Sequence, residues 1–93
     1  MSTLTETETL SLEDILTDVE KEHSLVLYND DVNTFDYVID SLVEVCDHDL
    51  VQAEQCAYLV HYSGKCDVKN GSFEQLKPLR IELSRRGLTV AIH

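Results

Sequence analysis

Apolar residues recur along this chain with two different periods, and each switch between them marks an element boundary. Leu25-Val26-Leu27-Tyr28 is a short continuous apolar run, which predicts a buried strand over residues 24–28. Phe35, Val38, Ile39, Leu42, Val43 and Cys46 then fall at helical spacing and predict a helix from about Thr34 to Cys46. Asp47-His48-Asp49 breaks that pattern. Asp49 is placed to cap a second helix over about 50–62, with apolar positions at Val51, Ala53, Cys56, Ala57, Leu59, Val60 and Tyr62, and Gly64 stops it. Lys65 to Lys69 alternates weakly and reads as a strand, with Asn70-Gly71 as a turn after it. Ser72-Phe73-Glu74-Gln75 has the form of a capping box. Pro78 lies too deep in that helix for an unbroken regular start, so a kink or a later start is expected. Leu76, Leu79 and Leu83 share one face through about Arg86, and Gly87 ends the helix before a last strand, Leu88 to Ile92. The order is βααβαβ: a single α+β domain over residues 23–93, with a three-stranded antiparallel sheet and three helices packed on one face.

Residues 1–22 read as a flexible N-terminal extension. The first ten are polar and rich in Thr and Glu, without period. Leu12, Ile15, Leu16 and Val19 can form a stripe on a nascent helix that a partner orders; the plain alternative is a solvated leader.

Charge and cysteines narrow the function classes. The net charge of -11 divides into -6 for residues 1–22 and -5 for residues 23–93, which disfavours nucleic acid as a partner. Arg80, Arg85 and Arg86 read as the cationic end of a helix. Cys46, Cys56 and Cys66 are odd in number and lack a CxxC pair, so reduced thiols are expected, with Cys46 and Cys56 as small core residues. No segment is long and apolar enough for a membrane span, and no targeting pattern is present; a monomeric cytoplasmic protein is the expectation.

The candidate chemistry lies in Asn29-Asp30-Asp31-Val32-Asn33-Thr34, a carboxylate-rich turn between the first strand and the first helix, with His61 about thirty residues downstream. The residue types alone allow a plain Asx-type turn and helix N-cap, or a cation site.

Leu25-Val26-Leu27-Tyr28-Asn29-Asp30-Asp31, Phe35-Asp36-Tyr37-Val38-Ile39 and Val60-His61-Tyr62-Ser63-Gly64-Lys65 together resemble the ClpS adaptors, over residues 25–66. The resemblance implies a non-enzymatic adaptor without a cofactor or metal. Such adaptors bind substrates through a free, large hydrophobic N-terminal residue (an N-degron: Leu, Phe, Tyr or Trp). They hand them to a Clp AAA+ unfoldase, ClpA- or ClpC-like, that feeds the ClpP protease. It further implies that Asn29, Asp30 and His61 surround the substrate's α-ammonium group. Asn33, Phe35, Val38, Ala57, Val60 and Leu88 would form the side-chain pocket, with Glu74 and Lys77 as candidates for the unfoldase-binding surface and the extension needed for delivery. By pattern alone Val38, Val60 and Leu88 are ordinary core residues. Phe35 and Ala57 stand where the family commonly has two facing Met residues, and Asn33 where it often has Thr. The pocket is therefore expected to tolerate Ile or Val better than a Met-bearing relative does, and Ala57→Met to restore strictness. Two other classes remain open: a metal-dependent hydrolase with Asp30, Asp31 and His61 as ligands and Asp36 or His48 as base, and a general interaction domain with a ribosomal-stalk-like fold.

Overall fold

In the computed structural model, which describes residues 21–93, the central strand β1 (His23–Tyr28) is paired on both sides. It is antiparallel to β2 (Lys65–Gly71) and to β3 (Thr89–Ile92), in the order β2-β1-β3. That position explains its continuous apolar run. Leu25 and Leu27 join the core beneath the helices, while Val26, on the opposite face of the strand, is shielded between Asp67 and Ala91. Three helices complete the βααβαβ order: α1 (Phe35–Cys46), α2 (Leu50–Ser63) and α3 (Phe73–Arg85). The expected extension, with its stripe of Leu12, Ile15, Leu16 and Val19, falls almost entirely outside the described residues.

Each helix begins at a side chain that satisfies an otherwise orphaned amide. Thr34 accepts from the Tyr37 N–H, Asp49 from the Gln52 N–H, and Ser72 from the Gln75 N–H, while the Gln75 side chain returns the bond to the Ser72 N–H at 2.9 Å. α2 stops at Gly64, whose φ of 93° lies in the left-handed region, and α3 is followed by Gly87 at φ 86°. Leu42, Ala53, Leu76 and Leu83 are fully buried, and the interior closes over all three cysteines. Burial pushes the Cys46 thiol up to about 11 and the Cys66 thiol up to about 12, so both stay protonated at neutral pH, as small core residues do.

Three details depart from the sequence reading, and a fourth lies outside it. Asn70 and Gly71 do not turn; they extend β2 and pair with Ser24 and His23, and the chain reverses at Ser72. α3 runs unbroken from Phe73 through Pro78, because the capping box and the burial of Leu76 and Leu83 outweigh one missing hydrogen bond. Pro78 and Glu74 are both exposed, so the Glu74 carbonyl that loses its donor faces water. Val43, Val51, Leu59 and Tyr62 are exposed rather than core, leaving α2 buried only along Ala53, Cys56, Ala57 and Val60. Finally, the β1–β2 register shifts between Leu25 and Val26, passing over Val68. The Val68 carbonyl instead accepts from Nε2 of buried His48 at 2.5 Å, which fixes that nitrogen as the protonated one and gives His48 a bracing role.

Pro78→Ala restores a backbone donor on a solvent-facing turn and is expected to raise stability by about 1–2 kcal/mol, after allowing for the freer unfolded chain. The midpoint of urea unfolding, at constant slope, measures it.

Candidate functional site

A cavity of about 530 Å³ opens where the end of β1, the start of α1 and the last two turns of α2 meet. Its polar side is the turn after β1. Asp30 organises that turn: Oδ1 accepts the backbone N–H groups of Val32 and Asn33, both at 2.9 Å, and Oδ2 accepts the Asn33 side-chain amide at 2.9 Å. The Asn33 amide also donates to the Gly87 carbonyl at 3.0 Å, tying the turn to the connection between α3 and β3. The Asn33 N–H chiefly holds the Asp30 carboxyl below its ordinary value; partial burial opposes the shift, and the Asn33 side chain and Val32 N–H reinforce it.

One backbone bond brings the distant half of the site into place. The Asn29 N–H donates to the Gly64 carbonyl at 2.9 Å, which fastens the end of β1 to the C-cap of α2, three residues past His61. The floor is apolar: Val38 from α1, and Ala57 and Val60 from α2. The rim is aromatic. Phe35 meets Tyr58 edge-on at 5.1 Å between ring centroids, Tyr58 stacks on Tyr62 at 5.7 Å, and Tyr62 meets the His61 ring at 4.8 Å.

The pattern of the family described as "ATP-dependent Clp protease adaptor protein ClpS" matches residues 18–91. The chain belongs to the ClpS family. A solved structure described as Agrobacterium tumefaciens ClpS2 bound to L-phenylalaninamide superposes with a TM-score of 0.68, covering 80% of this chain and 96% of that one at 18% identity. At that identity the likeness speaks to a shared fold.

In this ClpS chain Asn29, Asp30, His61, Asn33, Phe35, Val38, Ala57 and Val60, eight of the nine residues expected from the resemblance, line the one cavity. Leu88 does not; it is buried in the core behind it, where its N–H bonds the Leu83 carbonyl. Asn33 acts as a polar brace as well as a wall. Glu74 and Lys77 are exposed on α3, outside the cavity lining. Tyr58 and Tyr62 are lining residues the sequence reading gave no site role. Their spacing of four on a helix whose Ala57 and Val60 line the floor was the available signal.

Asp30, Asp31 and His61 line the same cavity, but among the described residues no three His, Cys, Asp or Glu side chains are grouped to hold a metal ion. Asp36 is exposed in the first turn of α1, and His48 is held in the core by Val68. Arg85 and Arg86 pair with Glu82, and Arg86 with Glu44, so they make no free basic patch.

Asp30→Ala removes the acceptor for three N–H groups and is expected to cost about 1–3 kcal/mol of stability at neutral pH. Because the folded-state carboxyl titrates below its ordinary 3.8, this contribution is fully present above that pH and is lost as the pH falls beneath it. Unfolding curves of wild type and variant should therefore stay apart at neutral pH and converge only in stronger acid.

Proposed function

We propose that this chain captures proteins and peptides through a free N-terminal residue with a large hydrophobic side chain, and delivers them to a Clp AAA+ unfoldase and its protease. The observation that carries this reading is the pairing of Asn29, Asp30 and His61 with Val38, Ala57 and Val60 around one cavity, from segments about thirty residues apart. An N-terminal residue presents a charged ammonium and an apolar side chain on the same carbon, and a pocket for it needs acceptors beside an apolar floor.

Acceptor capacity remains for the ammonium. A carboxylate oxygen can take two donors; Oδ1 of Asp30 is filled by Val32 and Asn33, whereas Oδ2 holds only the Asn33 amide. The Asn29 carboxamide and a His61 ring nitrogen supply further contacts, and the ionised state of Asp30 is favoured at neutral pH. Burial of a Leu or Phe side chain against the floor contributes roughly 1.5–3 kcal/mol before ordering costs. A general interaction domain of this fold has no need of that polar and apolar pairing. The L-phenylalaninamide bound to the structurally similar Agrobacterium ClpS2 is a ligand of the same chemistry.

Calorimetry with a short Phe-initiated peptide and its N-acetylated twin tests capture. The free amine should bind at least about a hundredfold more tightly, since acetylation leaves a desolvated carboxylate without its charged partner. Equal affinities would falsify the assignment of Asn29, Asp30 and His61. Delivery is tested separately, by degradation of a Phe-initiated reporter in the presence of unfoldase and protease. The full chain should stimulate it, and a variant beginning at His23 should bind peptide yet stimulate little.

A further inference from the structure

Aromatic side chains at the mouth of the cavity extend the site beyond the first substrate residue. On α2, Ala57 and Val60 are buried in the floor, while Tyr58 and Tyr62, one turn apart, face outward at 54% and 75% exposure. Their rings stack within 11° of parallel, at 5.7 Å between centroids, and so form a two-ring plate carried by two exposed residues. Phe35 braces one end edge-on and His61 contacts the other. Contiguous exposed apolar surface marks an interaction site more often than singly scattered side chains do.

From this geometry we infer that the Tyr58–Tyr62 plate is a subsite for the second residue of the substrate, and that it selects a cationic side chain there, Arg above Lys. The inference rests on the amine-capture reading. With the ammonium at Asn29, Asp30 and His61, the next Cα lies about 3.8 Å further along the peptide, and the ring touching His61 is Tyr62. A guanidinium is planar and stacks on a tyrosine face, attracted by its quadrupole, whereas an ammonium has only the point-charge attraction. Charge acts in the same direction: Asp30 and Asp31 line the same cavity, and residues 23–93 carry a net -5. An acidic second residue meets repulsion from both carboxylates and gains nothing from the rings.

Fluorescence competition on the full chain, with peptides beginning Phe-Arg, Phe-Lys, Phe-Gln and Phe-Glu, provides the test. Phe-Arg is expected to bind about three- to tenfold more tightly than Phe-Gln, with Phe-Lys between them and Phe-Glu weakest. In the double variant Tyr58→Leu, Tyr62→Leu, which keeps apolar area but removes the rings, the Phe-Arg to Phe-Gln ratio should fall towards one. A ratio taken on one preparation does not depend on the fraction of protein that is folded. A wild-type ratio of one overturns the subsite, and an undiminished ratio in the double variant overturns its assignment to the tyrosines. N-acetylated Phe-Gln in the same competition reports on the amine reading alone, so its failure is distinguishable from failure of the subsite.

Discussion

The Asp30 carboxylate gathers three N–H groups from two following residues, and the polar side of the cavity depends on that convergence. A turn that leaves a buried strand at Tyr28 and enters a helix at Phe35, six residues intervening, has several amides with no ladder or helix partner. Here the carboxylate satisfies the Val32 and Asn33 amides, and the Thr34 hydroxyl takes the Tyr37 amide in the first turn of α1. Asn33 then connects the turn to Gly87, so the connection after α3 is anchored to the connection after β1. The same side chain that stabilises the turn lines the cavity and keeps one oxygen, Oδ2, with a single donor.

Rigidity elsewhere follows from the sheet. β1 lies between two antiparallel neighbours and buries both of its faces, which fixes the position of Asn29 at its end. The Asn29 N–H to Gly64 bond makes the end of α2 follow that position, and Gly64 can accept the left-handed backbone required there where a side chain would be strained. Polar acceptors and apolar floor are thus held by elements rather than by a long loop. Acceptors held in this way need no reordering to receive a donor, whereas misplaced ones forfeit hydrogen bonds while still incurring desolvation.

α2 illustrates how one helix divides its surface. Ala53, Cys56, Ala57 and Val60 make a narrow buried stripe, and its small residues let the helix approach the sheet closely while leaving room for the cavity. The large side chains, Tyr58, Leu59 and Tyr62, were placed outward. Hydrophobicity alone misassigns this helix, because its apolar residues serve both the core and the rim of the site.

The order of elements, two of the three N-caps and the glycine stops were legible in the sequence because each depends on neighbours within four residues: Asp49 before α2, Ser72 with Gln75 before α3, Gly64 and Gly87 after them. The polar turn and His61 were legible as well, through their spacing and their likeness to the ClpS family. What required the tertiary structure was every decision made between distant segments. The bulge at Val68 and its capture by His48, the continuation of β2 through Gly71, and the passage of α3 through Pro78 are set by pairing and burial energies that local propensity does not contain. The same holds for the site. The resemblance assigned Leu88 to the pocket wall and gave Tyr58 and Tyr62 no role; the cavity is lined by both tyrosines, while Leu88 is buried in the core, as its apolar pattern alone indicates. Which side of an apolar stripe faces a cavity depends on how closely the opposing helix and sheet can approach, and that distance exists only once the whole chain has folded.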